Sequence, residues 1–227
     1  QVLQLMLCDA QQMSSVLSCL QLARENAHAL RGVLASDIWE SINRTWLHAM
    51  NLPQSAWLGA EGIQNRAWLQ QQYSYITGTI DAQPLDNLRV CFHFGQRLEY
   101  ADCAIRLFQA CQPFSDAIDI WQWQALLGAV QVRAMAGLAL DYRTVTHRIL
   151  TDIQHQQSVL RCMEMAFADV NGILPNKLGA LLSFQQALRQ LQAAREQPLY
   201  AWVESDFDHM QQGIQQLSNA FAVYCLN

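Results

Sequence analysis

The chain has 227 residues, 52% of them hydrophobic and 15% charged, which places it among globular proteins and excludes an intrinsically disordered one. A net charge of −5, with no basic stripe to offset it, argues against nucleic acid as a partner. No apolar run approaches the roughly 18 residues of a membrane span and no signal-peptide pattern opens the chain, so no membrane partner and a cytoplasmic location are expected.

Good helix formers dominate, and period-2 alternation bounded by hairpin turns is absent. In chain order, the apolar periodicity predicts helices over 13–34, 36–50, 55–79, 85–111, 115–139, 143–151, 156–173, 177–196 and 199–224. The breaks carry turn chemistry: Gly32 with Ser36 as a fresh N-cap, Pro53, Gly78 to Pro84, Pro113 with Ser115, Gly172 to Pro175, and Pro198. Short connections of this kind join antiparallel neighbours. The expected fold is an all-α, multi-helix bundle forming a single domain over 1–227.

An internal repeat adds to that picture. The segment "SVLSCLQLAREN" (15–26) aligns without gaps on "SVLRCMEMAFAD" (158–169), which predicts a duplicated helical unit with pseudo-repeat halves of roughly 1–112 and 113–227. Arg24 then aligns with Phe167, and Arg31 with Leu174. At ~100° per residue, Arg24 and Arg31 lie about 40° and 20° from Leu20, inside the apolar arc of the first helix. Both arguments turn these arginines inward.

A buried guanidinium needs an acceptor, since its desolvation costs several kcal/mol. The helix "RVCFHFGQRLEYADCAIRLF" (89–108) offers one. Phe94, Leu98, Ala101 and Ile105 form its apolar stripe, Asp102 flanks it, and Glu99 and Arg106 lie just beyond. Asp102 and Arg106 also make an i,i+4 pair. A network of Arg24 and Arg31 with Glu99 and Asp102 is the simplest arrangement, either as structural glue or as a ligand-binding polar pocket. Glu25 and Asn26 flank Arg24, and Glu40 and Asn43 lie on a face next to Trp39, Ile42 and Trp46. They are candidates for the same cluster or for a solvated face, while both tryptophans read as core.

The six histidines show no HExxH, and the one Glu-x-x-His, Glu25 to His28, is not repeated as a paired-carboxylate metal site needs, so neither a metal site nor a cofactor is expected. GxSxG, Walker and GxGxxG motifs are absent. "IWQW" (120–123) reads as core aromatics before it reads as a stacking platform. Seven cysteines, with no CxxC, read as reduced thiols that are mostly buried.

The stretch "SCLQLARENAHALRGVLASDIWESINRTW" resembles the signature of the alpha-E domain family, through Ser18, Cys19, Leu20, Ala23, Arg24, Glu25, Asn26, Ala27, Arg31, Trp39, Glu40 and Asn43. The helix "FGQRLEYADCAIRLF" is similar to the family's second motif at Gly95, Leu98, Glu99, Ala101, Asp102 and Arg106. It departs from it in two places: the Glu-Arg pair is Glu99-Tyr100, and the arginine after the glycine is Gln96, with Arg97 beside it. The family's earlier copy of that helix is missing and the chain begins with Gln1, so a fragment or a divergent, shortened member is expected. The resemblance implies a duplicated all-helical unit acting with ATP-grasp amide ligases, transglutaminase-like proteins and an NTN-type peptidase. The function it implies is that of a non-catalytic accessory or interaction protein in a bacterial peptide synthesis or modification system, with self-association open. The alternative is an enzyme of unrecognised type, using the Arg/Glu cluster on a peptide or a small amine or carboxylate.

Overall fold

A computed structural model of the chain describes residues 6–9, 11–12, 14–84, 87–111, 142–173, 181–197 and 200–225. The expected helix 115–139, with Trp123, Leu126, Leu127 and the "IWQW" aromatics, lies outside them, as does Leu174. The described residues are helical with turns and contain no strand, so the protein is all-α. None of the described helices is long and apolar enough to cross a membrane. The chain divides into two compact units, Gln1–Arg89 and Val90–Asn227.

The first unit contains α1 (Val16–Ala29), α2 (Ser36–Asn51), a 3-10 turn (Gln54–Trp57) and α3 (Gly59–Asp81). Ser15 starts α1: its Oγ accepts the Ser18 amide at 3.2 Å, which satisfies one of the open N–H groups of the first turn. α1 ends at Ala29, five residues before the expected limit. The Leu30 amide still donates to the Asn26 carbonyl, but Val33 and Leu34 both donate to Leu30 and close a turn. The weak helix former Gly32 lies in this turn, and the reversal lays α2 on α1.

α2 buries Ile38, Ser41, Thr45 and Ala49, one stripe at helical spacing. The helix expected from residue 55 is split in two. Leu58 is extended and Gly59 has φ 60°, a left-handed conformation that is costly for any residue with a Cβ. Trp57 is 1% exposed, and its carbonyl accepts Arg66 Nη1 at 3.0 Å while that of Ala56 accepts Asn65 Nδ2 at 2.7 Å. The core of this unit is small: Leu7, Cys8, Ala49 and Trp57, with Val16, Leu17, Leu20, Leu52 and Leu69 packed against them.

The second unit holds most of α4 (Asn87–Cys111), then α5 (Tyr142–Thr151), α6 (Val159–Ile173), α7 (Leu182–Arg195) and α8 (Glu204–Cys225). The expected stripe Phe94, Leu98, Ala101 and Ile105 is buried on α4, along with Ala104 and Phe108. They join a continuous core with Leu160, Met163, Phe184, Leu191, Phe207 and Met210. At the start of α8, Asp206 reaches back to accept the Val203 amide at 3.0 Å and also accepts Gln190 Nε2 from α7.

The two repeat segments have matching backbone turns. Ahead of α1, Asp9 Oδ1 accepts the Gln11 amide, the Asp9 carbonyl accepts Gln12, and the Gln12 carbonyl accepts Ser15. Ahead of α6, Asp152, Gln154, His155 and Ser158 make the same three bonds at one constant offset. Ser158 Oγ then accepts the Arg161 amide at 3.2 Å, as Ser15 accepts Ser18.

Of the six described cysteines, none of which forms a disulfide, only Cys8 and Cys162 are buried. Cys19 and Cys103 are exposed, which corrects the expectation of mostly buried thiols. These two sit on the solvent side of otherwise amphipathic helices.

Candidate functional site

The polar residue that stands out in the first unit is Arg24. It projects from α1 toward a stripe on α2 made by Trp39, Asn43 and Trp46, spaced i, i+4, i+7 and therefore on one face. Arg24 Nε donates to Asn43 Oδ1 at 2.8 Å. Its Cζ lies 4.3 Å from the centroid of the Trp46 ring and 6.0 Å from that of Trp39. Contact at the shorter distance is a cation–π interaction worth about 0.5–2 kcal/mol, depending on how dry the site is. His28 also meets Trp39, with ring centroids 5.5 Å apart and edge to face. Arg24 is half-buried, and its partners are a neutral amide and an indole ring.

The remaining candidates are placed within their own units. Glu25 is exposed and accepts Gln21 Nε2 at 2.9 Å. The Asn26 side chain is exposed and its carbonyl accepts the Leu30 amide. Glu40 is exposed on α2. Arg31 is also exposed, which corrects its expected inward position: α1 has ended at Ala29, so a helical wheel no longer describes where residue 31 points. Within the second unit, Glu99 is exposed, and Asp102 accepts Arg106 Nε at 2.7 Å, with Arg106 70% exposed. An ion pair so open to water contributes little.

Two charged residues not singled out from the sequence form the inner ion pair of that unit. Arg97 on α4 pairs with Asp169 on α6. Asp169 is the repeat counterpart of Asn26, and nothing in its local spacing points to a partner on a helix so distant in sequence. Nearby, burial pushes the Cys162 thiol up to about 11, against the opposing pull of Arg97 and Arg161. Burial also raises Cys8, Cys103 and Cys111, which leaves these thiols protonated and poor nucleophiles at neutral pH. Among the described residues no three His, Cys, Asp or Glu side chains gather where a metal ion would be held.

Phe167 is the residue that the sequence alignment sets against Arg24. It packs against the core of the second unit and stacks on Phe184, with centroids 5.5 Å apart and planes 16° from parallel. At the two aligned positions, a phenyl ring stacks on an aromatic neighbour in one unit and an arginine Cζ lies over one in the other.

Fold and site define an all-α protein with an arginine bedded on tryptophan between two helices. The chain belongs to the Alpha-E family, described as a predicted alpha-helical domain with a conserved ER motif, whose model matches residues 1–224. No curated protein and no solved structure matches the chain. Tyr100 packs against the core of the second unit while Glu99 is exposed.

Proposed function

We propose that this protein is a non-catalytic helical accessory and interaction module, acting in the cytoplasm with an ATP-grasp amide ligase and transglutaminase-like partners in bacterial peptide synthesis or modification. The partners come from the family resemblance; the observation that carries the interaction role is the character of the first unit. Its helix α3 is 23 residues long, yet only Gly62 and Ile80 are buried, while Ile63, Tyr73 and Tyr75 are exposed. A helix with so little of its own core gains most of its stability from whatever packs on it. The raised thiols favour binding over cysteine chemistry.

The matching turns ahead of α1 and α6, with Leu7 and Leu150 both buried just before them, support an origin by duplication of one helical unit. Co-expression with the ATP-grasp ligase of the native host, followed by affinity capture and size exclusion, tests the functional reading. A stoichiometric complex is expected, and its loss is expected when Ile63 and Tyr75 are changed to Asp. A ligase that elutes apart from the wild-type chain overturns the reading.

A further inference from the structure

The arrangement around Arg24 does more than packing requires. Its Nε donates to Asn43 and its Cζ sits over the Trp46 ring. The groups left over are the terminal N–H donors on Nη1 and Nη2. Among the described residues they meet no acceptor: the Asn43 bond and the two ring contacts are the interactions Arg24 makes. An arginine held on one edge and one face presents its other edge as a fixed fork. Two parallel N–H bonds on such a fork match the two oxygens of one carboxylate.

Phe167, aligned with Arg24 in the sequence, offers a comparison. At the same repeat position in the second unit, stacking is done by a phenyl ring on Phe184. There the aligned position carries a flat group with no charge and no fork of donors.

We infer that the Arg24 fork is a receptor for a peptide carboxylate, with the indole of Trp39 and the imidazole of His28 as flat walls for the adjoining peptide groups. This rests on the accessory role proposed above and names what the module recognises. A phosphate is disfavoured by the surroundings. From 16 to 51 the chain carries Arg24, Arg31 and Arg44 against Glu25, Asp37 and Glu40, so no net positive field draws in a dianion. A single carboxylate needs only the fork. Because the side chain is already fixed, binding avoids most of the rotamer entropy that a mobile arginine loses.

The test is isothermal titration calorimetry on the full chain with four probes: N-acetyl-dialanine, its C-terminal amide, N-acetyl-glutamic acid α-amide and inorganic phosphate. One or both carboxylates are expected to bind at least tenfold more tightly than the neutral amide and than phosphate. The tighter of the two identifies the source as a chain terminus or a side chain. Arg24→Met is expected to abolish the preference. Arg24→Lys keeps the charge but loses the fork, is expected to weaken binding at least tenfold, and decides the matter if the Met variant does not fold. Equal binding of acid and amide, absence of binding, tightest binding of phosphate, or a Lys variant equal to wild type each overturns the inference. Co-elution with the ligase, measured separately, distinguishes this failure from that of the accessory reading. A complex that forms without carboxylate binding sinks only the receptor, and carboxylate binding without a complex sinks only the partnership.

Discussion

At the scale of single residues, Arg24 and Asn43 were both candidates in the sequence, whereas Trp46 read as core. Helical periodicity and the Phe167 counterpart both place Arg24 on the apolar face, and it is half-buried there. What a wheel cannot convey is that Asn43 and Trp46 answer it, because tryptophan at helical spacing reads equally well as core. Arg31 failed for a definite reason: its inward position depended on a helix that stops at Ala29. Glycines give a sharp test of the packing at this scale. A Cβ on Gly213 would stand 3.0 Å from the Phe184 Cα and 3.2 Å from the Ser183 carbonyl oxygen, both backbone atoms of the α7 region that cannot turn aside. Gly213→Ala is expected to cost about 1–3 kcal/mol. Gly95, inside α4, meets nothing within 4 Å, so Gly95→Ala is expected to stabilise by up to about 1 kcal/mol through helix propensity. Denaturant midpoints of the two variants check both signs.

At the scale of elements, helix existence was readable and helix ends were less so. The stripe on α4 came out as expected because four apolar residues at i, i+4, i+7 and i+11 leave little choice of face. The start of α3 did not, since a 3-10 turn anchored by Trp57 and a left-handed Gly59 both fit within an apparently continuous pattern. The matched turns ahead of α1 and α6 were visible only as a short similarity between two helices. The hydrogen bonds extend it back to Asp9 and Asp152. If one turn is as good as the other, replacing residues 9–19 by residues 152–162 is expected to leave the helical circular dichroism and a cooperative melt intact. A molten or aggregated chimera would contradict it. Burial also ranks the helices. α7 buries Phe184, Ala187, Leu191 and Ala194, whereas α3 buries Gly62 and Ile80. Amide hydrogen exchange by mass spectrometry is therefore expected to be much faster through the middle of α3 than through α7.

At the scale of the molecule, the all-α class followed from composition and periodicity together. The division into units of such unequal cores did not, because the sequence is apolar throughout and burial depends on which helices meet. The second unit carries a pH dependence. Burial holds the imidazoles of His147 and His155 below their ordinary value of 6.5, with Asp152 opposing it at His155. Their Nδ1 and Nε2 atoms, respectively, are buried and find no hydrogen-bond partner among the described residues. The folded chain thus takes up protons there at lower pH than the unfolded chain does. Stability from these groups is fully present above 6.5 and is lost as the pH falls below it. Between about pH 7.5 and 5.5 the wild type is expected to lose more stability than a His147→Leu, His155→Leu double variant, as denaturant titrations at the two values would read.

The central claim concerns the state of one side chain, and side-chain ¹⁵N NMR of the arginines reads it directly. Arg24 is expected to give an Nε–H resonance, assigned by its disappearance in Arg24→Lys, that exchanges slowly with water because Asn43 holds it. Its terminal N–H signals are expected to move on addition of N-acetyl-dialanine and to stay in place on addition of the amide. An Nε–H signal averaged with those of the exposed arginines, or terminal N–H groups indifferent to the carboxylate, would contradict a fixed and receptive guanidinium.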